Sequence, residues 1–267
     1  MENWHEWRKA GLGASDAPVV MNVSPYKTRF QLWEEKLGLS EHKMNEYMAN
    51  KGHEMEIVAR QKYESLYKKE MPVFFCEHPD FPFVRASLDG YDGETILEIK
   101  YVGKDDYGKI PDRYYPQLQH QLLASGSDVV HYCGFNGTDI HVIEIRRDEE
   151  YIRKLLEELK KFWDLVQKQT PPELTDRDFK KVKDPELGEL VEKYRSMNAI
   201  LKQTESTLEF LKKQIIEKLP KENIICNGMK ISKTFRQGTI DYKAVPNIDW
   251  ENYRKKGSFY YVFREIK

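Results

Sequence analysis

The chain has 267 residues, 40% hydrophobic and 12% aromatic, enough apolar material for one large core or two smaller ones. Charged residues reach 33%, above the roughly 25% usual for globular domains, yet 43 Lys and Arg meet 44 Asp and Glu for a net charge of −1. That balance excludes a strongly basic nucleic-acid-binding chain and leaves any basic surface local.

Residues 1–10 are polar and aromatic, without the basic head and apolar run of a secretory signal. No apolar stretch approaches the roughly 20 residues of a membrane span. Cys76, Cys133 and Cys226 are odd in number and far apart, which suits a reducing cytosol, argues against a disulfide framework and falls one thiolate short of a four-cysteine cluster. The expectation is a soluble cytoplasmic globular protein.

In chain order, residues 1–70 read as helical around a Gly-rich turn, Gly11 to Asp16. Thr28 is placed to cap a helix from Arg29 to Leu37, and Gly38 to end it. A second helix is predicted from about Asn50 to Lys69. Residues 71–147 read as strands around one helix: Val73–Cys76, Val84–Leu88 and Thr95–Val102, then a helix over Tyr114–Ser125. A hairpin of Val129–Phe135 with Ile140–Ile145 follows, turning at Asn136-Gly137. Asp89-Gly90 and Asp92-Gly93 mark turns between the strands at 84–88 and 95–102. Asp148 caps a helix from Glu149 to Gln169. Leu187, Tyr194, Leu201, Leu208 and Ile215 then recur every seven residues, which suits a helical hairpin or a coiled-coil contact. Strand-like pieces at Lys230–Phe235 and Phe259–Arg264 close the chain. The expected architecture is α/β (α+β), a mixed sheet flanked by helices, with a core over residues 1–147 and a C-terminal helical hairpin and short β tail over 148–267.

The chemistry concentrates in Ser87-Leu88-Asp89-Gly90 and Ile96-Leu97-Glu98-Ile99-Lys100. On a strand, Glu98 and Lys100 share one face and Leu97 and Ile99 the other. A hairpin brings Asp89 beside Glu98. Two carboxylates at a sheet end suit a hard divalent cation, and a lysine on the same face can orient or deprotonate an attacking water, the parts of metal-assisted phosphodiester hydrolysis. The same spacing also describes an ordinary surface pair on an amphipathic strand. Glu54 and Glu56, two apart on a helix, cannot both face one site, and both also read as solvated charges. Gln121 lies one helical turn after Gln117 and reads equally as sharing its face or as solvated. His53 and His120 lack a second ligand at metal spacing. Cys76 and Cys133 read as small buried hydrophobes. Lys27, Arg29, Lys104, Lys109 and Arg113 flank the site, as DNA-tracking cations or as an ordinary solvated face. Tyr101, Tyr107, Tyr114 and Tyr115 suit base stacking or core packing.

An ordered set of motifs goes further. Trp7-Arg8 precedes Gly11-Leu12-Gly13-Ala14-Ser15-Asp16, and then come Ser24-Pro25-Tyr26-Lys27-Thr28 and Leu32-Trp33-Glu34-Glu35-Lys36. Gly52-His53-Glu54-Met55-Glu56, His78-Pro79-Asp80, Ala86-Ser87-Leu88-Asp89-Gly90, Glu98-Ile99-Lys100 and Tyr115-Pro116-Gln117-Leu118-Gln119-His120-Gln121 follow. In this order, over about residues 4–135, they resemble the lambda exonuclease and YqaJ-like viral recombinase family, a branch of the PD-(D/E)xK nucleases. The resemblance implies a restriction-endonuclease-like core in which Asp89, Glu98, the Ile99 carbonyl and Glu56 hold Mg²⁺ or Mn²⁺, two ions in all, and Lys100 positions the attacking water. It implies that Arg8, Ser15, Ser87 and Gln117 bind the 5′-phosphate of a DNA end. It further implies a 5′-to-3′ exonuclease on linear duplex DNA, yielding 5′-mononucleotides and 3′ single-stranded overhangs for phage-type recombination. A trimeric ring, a single-strand annealing partner and a phage or prophage origin in a bacterial host belong to the same expectation. An endonuclease or 3′-end nuclease of the same fold, and a non-catalytic DNA-end-binding protein, are the alternatives.

Overall fold

The structure, a computed structural model, describes residues 4–40, 46–220 and 223–232. It has two compact units, Met1–Lys180 and Lys181–Lys267.

The first unit opens with helix α1 (Trp4–Lys9), strand β1 (Leu12–Gly13), a 3₁₀ turn (Ala14–Asp16) and helix α2 (Ala17–Val20). Helix α3 (Arg29–Lys36) starts at the expected cap. Thr28 Oγ1 accepts the Gln31 N–H at 3.2 Å and Gln31 Oε1 accepts the Thr28 N–H at 3.0 Å, a reciprocal pair that satisfies two donors left open by the helix start. Gly38, at φ +66°, follows its end. Helix α4 (Glu46–Tyr67) leads to strands β2 (Phe74–Glu77), β3 (Val84–Leu88), β4 (Gly90–Tyr91) and β5 (Thr95–Tyr101). Helix α5 (Tyr115–Ser125), strands β6 (Val129–Phe135) and β7 (Ile140–Arg146) and helix α6 (Glu149–Gln167) complete it.

Two sheets result. One has the order β1-β3-β2, with β1 parallel and β2 antiparallel to β3. The other has the order β4-β5-β6-β7, with β5 and β6 parallel and joined through α5, and the outer pairs antiparallel. Strands β3 and β5 are therefore not the two arms of one hairpin, as the turn residues suggest. The chain from Val84 to Tyr91 bends at Asp89, and its two halves join different sheets. The cause is local. The β4–β5 pairing includes Gly90 opposite Leu97, and the next N–H on that edge, Ile99, donates to the Asp89 carboxylate at 2.8 Å instead of to a strand. A Cβ on Gly90 would lie 2.7 Å from the Met71 Cβ, so only glycine lets the bent strand sit this close.

The main core fills the space between the sheets and helices α2, α5 and α6, with Leu118, Leu122, Val130, Tyr132, Leu155 and Phe162 among its buried members. A smaller core lies under α4, where Ala59, Tyr63 and Met71 cover Leu97, Ile99, Cys133 and Phe135. Helix α5 is buried along residues 116–124. Pro116 sits in its first turn, and Gly126, at φ +77°, closes it. Its polar side chains bond within the fold: Gln119 Nε2 donates to the Arg146 carbonyl at 2.9 Å, and His120 Nε2 lies 3.0 Å from the Arg85 carbonyl, while His120 Nδ1 and Gln121 Oε1 are buried without a hydrogen-bond partner among the described residues.

Helix α6 is capped by Asp148, which accepts the Tyr151 N–H at 3.0 Å. It buries Ile152, Leu155, Leu159, Phe162 and Val166 against the main core, a 3–4 spacing along one face. The segment after it also folds back: Arg177 Nη1 donates to the Ser24 carbonyl at 2.9 Å, and Thr28 Oγ1 bonds Asp178. The boundary expected at residue 147 thus falls inside the first unit, because α6 supplies one wall of its core.

In the second unit, the seven-residue repeat from Leu187 to Ile215 lies on one unbroken helix, α7 (Pro185–Lys218), capped by Asp184, which accepts the Leu187 N–H at 3.1 Å. Beyond Gly188 in its first turns it contains no glycine or proline to break it. Leu187, Tyr194, Leu201, Leu208 and Ile215 are exposed along it. Strands β8 (Ile224–Cys226) and β9 (Met229–Ile231) form a hairpin around Asn227 and Gly228, both at positive φ. Strand β9 overlaps the piece expected at Lys230–Phe235, and the piece at Phe259–Arg264 lies outside the described residues.

Candidate active site

Alternation along β5 decides which way the chemistry faces. Leu97 and Ile99 point into the small core under α4, so Glu98 and Lys100 point to the other face, toward α5. Glu98 is buried there, at 2% side-chain exposure, and Lys100 is 25% exposed. The Glu98 carboxylate is surrounded by donors. Lys100 Nζ and Gln117 Nε2 reach Oε1, the latter at 2.6 Å, and Gln121 Nε2 reaches Oε2. A buried carboxylate needs such partners, and charge-assisted bonds are the strong ones. Gln117 and Gln121 can both supply them because they are one helical turn apart on α5.

Burial raises the Asp89 pKa well above the ordinary carboxylate range, and the Glu98 charge adds to it, against the opposing pull of Lys100. Burial also raises Glu56; Arg60 and His53 oppose this, while Glu98 adds to it. Burial alone would lower the Lys100 pKa, but the Glu98 and Asp89 carboxylates outweigh it and raise it. Lys100 therefore stays an ammonium at neutral pH.

A cavity of about 180 Å³ joins Asp89, Glu98 and Lys100 to Arg8, Ser15, Ser87 and Gln117. Asp89, Glu98 and Lys100 of the first predicted set thus share one space with all four residues of the second. Arg8 Nη2 donates to Ser15 Oγ at 2.8 Å, so α1 and the 3₁₀ turn present a guanidinium and a hydroxyl together. The Gly-rich turn has a steric reason: a Cβ on Gly11 would meet the Phe83 carbonyl oxygen at 2.6 Å. Gln117 belongs to both sets, with its amide on Glu98 and its side chain at the cavity wall.

Glu56 does not line this cavity. It sits on α4, ion-paired with Arg60 at 3.4 Å, and its charge raises the Asp89 pKa. Glu54 is exposed, whereas Glu56 is partly buried. Among the described residues, no three His, Cys, Asp or Glu side chains converge as a preformed metal cage. His120 is buried in the main core region, with its pKa pushed down to about 4 by burial. Cys133 is buried and Cys76 partly buried, and burial pushes their thiols up to about 12 and about 11. Of the flanking cations, Lys27, Arg29 and Arg113 are paired with Glu35, Glu158 and Asp106, while Lys104 and Lys109 are exposed. Tyr114 packs against the main core and Tyr115 against Tyr151, while Tyr101 is exposed.

The sequence leaves Gln121 open between the site and solvent and points to no role for Asp16 or Lys36. Asp16 and Lys36 form a buried ion pair at 2.7 Å beside Arg8. The one signal for Gln121 was its helical spacing from Gln117. For Asp16 and Lys36, which are 20 residues apart in the chain, there was none.

Two structures of an alkaline exonuclease, LHK-Exo, from Laribacter hongkongensis, one of them in complex with dAMP, share the fold. They are 22% identical, with TM-scores of 0.54 and 0.55, over 64% of this chain and 94% of theirs. The architecture is thus the mixed α/β arrangement of the PD-(D/E)xK type. Among curated proteins, the uncharacterized protein YqaJ of Bacillus subtilis (strain 168) is 29% identical over 177 residues, 61% of this chain. The chain spans about half the length of that relative, 55%. Among the described residues, no helix is long and apolar enough to cross a membrane. Residues 3–128 match the YqaJ-like viral recombinase domain, the family that the ordered motifs from Trp7-Arg8 to Gln121 resemble.

Proposed function

We propose that the protein is a divalent-metal-dependent exonuclease that enters linear duplex DNA at a 5′-phosphorylated end, digests that strand 5′ to 3′ and leaves a 3′ single-stranded overhang for recombination. One observation carries this reading: the carboxylate–lysine cluster and the donor-rich group of Arg8, Ser15, Ser87 and Gln117 open into the same cavity. The first set suits hydrolysis and the second suits a terminal phosphate. The exonuclease neighbours and the recombinase-domain match support the same class.

The residues fit a hard cation. Asp89 and Glu98 offer oxygen donors at one cavity wall, and the burial and the neighbouring Glu98 charge that raise the Asp89 pKa are what a divalent ion offsets. They would hold Mg²⁺ or Mn²⁺ together with the Ile99 carbonyl, with Glu56 adding a carboxylate from α4. Such an ion supplies Lewis-acid polarisation of the phosphoryl group and makes the attacking water more acidic. Lys100, whose carboxylate neighbours raise its pKa, serves here as a cation. It orients the water and screens the charge that develops on the phosphoryl oxygens. Gln117 and Gln121 keep Glu98 aimed. Arg8, Ser15 and Ser87 hold the terminal phosphate, fixing which strand enters and from which end. The reading extends, by family resemblance, to a trimeric ring around DNA and a single-strand annealing partner in the cytoplasm of a bacterial host.

Arg8→Ala tests the polarity element. Digestion of 5′-phosphorylated ends should fall by about tenfold or more, the loss expected for a charge-assisted contact, while digestion of 5′-hydroxyl ends changes little. Equal loss on both ends would make Arg8 a structural residue only.

A further inference from the structure

Helix α7 has 34 residues, and none of them is buried. Most helical stability comes from packing an apolar face, since propensity alone leaves an isolated helix marginal. The ion pairs Glu189–Lys193, Glu192–Arg195 and Glu209–Lys212 lie within the helix and are exposed, so they add little. What α7 offers for packing is a seam. With Leu187 at position a of a heptad, Tyr194, Leu201, Leu208 and Ile215 repeat it, and position d holds Leu190, Met197, Thr204 and Leu211. The leucines of this seam are 46–57% exposed.

The period identifies the kind of partner. A straight α-helix drifts about 20° per heptad from a strict seven-residue repeat. Between Leu187 and Ile215 such a row winds off any flat surface and stays in contact only with a second helix in a left-handed supercoil. The residues in and beside the seam identify which helix. The Thr204 hydroxyl donates to the Ile200 carbonyl of its own helix at 2.8 Å, so the polar member of the seam asks no polar group of a partner. In a parallel pair of α7 helices, the flanking charges Glu186, Lys193, Glu205 and Lys212 each face an uncharged residue of the other copy. No like charges meet, and the seam fits its own duplicate.

We propose that α7 is a self-association element: a second copy of this chain covers the Leu187–Ile215 seam with its own α7, forming a coiled coil. The contact lies outside residues 3–128 of the family match. It depends neither on the proposed nuclease chemistry nor on a ring formed by the first unit.

Crosslinking of the full chain, without DNA, tests this. Cys226 is exposed, so Cys226→Ser is the background for two single replacements. Thr204→Cys lies near the middle of the seam, where the two copies meet whichever way the helices run. Ser206→Cys lies two residues on, on the opposite side of the helix. With a short bismaleimide, Thr204→Cys should give a covalent dimer on a denaturing gel, and Ser206→Cys should stay a single chain. Adding Leu201→Glu and Leu208→Glu to Thr204→Cys should cut the dimer about tenfold or more, because unpaired carboxylates are costly to bury. Circular dichroism confirms folding of each variant, and should the chain with both glutamates fail to fold, the comparison of the two cysteine positions decides. A single-chain product from Thr204→Cys, the result if another segment of this chain or an unrelated helix covers the seam, would overturn the inference. Equal dimer from both cysteine positions, or undiminished dimer in the folded chain with both glutamates, would also overturn it, since an assembly held elsewhere in the molecule gives those results.

Discussion

Glu98 shows how much a single buried carboxylate can organise. It lies on the face of β5 opposite the small core, and three side chains from two elements converge on it: Lys100, Gln117 and Gln121. In the proposed chemistry Lys100 orients the water from its place beside Glu98. Lys100→Ala should therefore abolish turnover, with DNA binding retained within a few-fold in an anisotropy titration. Unchanged turnover would remove Lys100 from the chemical step. Gln121 is fully buried and bonds the second oxygen of Glu98. Gln121→Leu keeps the volume and removes the donor. It should weaken divalent-metal affinity about 10–100-fold, as loss of an outer-shell partner does, measured by calorimetric titration of Mn²⁺ into the protein without DNA. Metal affinity equal to wild type would make Gln121 a packing residue. The Glu98–Lys100 face was legible from the two-residue repeat of a strand. Its partners were not, because nothing local ties α5 to β5; the contact arises only when both pack around one core.

At the scale of elements, what the sequence reveals depends on how local the cause is. The caps at Thr28 and Asp148 and the stop at Gly126 are short-range devices, and each helix boundary they predict lies close to the observed one. The bend at Asp89 is different. The turn residues suggested a hairpin, but the pairing of β3 with β1 and β2 depends on strands elsewhere in the chain. Helix α7 carries a seven-residue repeat that suits a hairpin or a coiled coil equally, and no breaker settles it in favour of a turn. Helix α6 was read as the start of a second domain because a strongly amphipathic helix looks the same wherever it docks. Its burial against the main core leads to a direct prediction. A chain ending at residue 180 should fold and melt cooperatively. One ending at residue 147, which loses Ile152, Leu155, Leu159, Phe162 and Val166, should not, since each large buried side chain contributes about 1.5–3 kcal/mol and native stability is only about 5–15 kcal/mol. Thermal denaturation followed by circular dichroism distinguishes the two, and a cooperative melt of the shorter chain would restore the boundary at 147.

For the whole molecule, the charge balance read from composition reappears as local pairing. Lys27, Arg29 and Arg113, which the sequence offered as a DNA-tracking face, are held by Glu35, Glu158 and Asp106. In the proposed function, recognition therefore centres on the DNA end at the cavity more than on a long basic track. The most direct measurement is a gel assay with Mg²⁺ on three substrates: a linear duplex with a 5′-phosphate, the same duplex with a 5′-hydroxyl, and a closed circular plasmid. The phosphorylated duplex should be digested faster, from that end, with the circle spared. Nicking of the circle, or no cleavage of any substrate with Mg²⁺ or Mn²⁺, would contradict it.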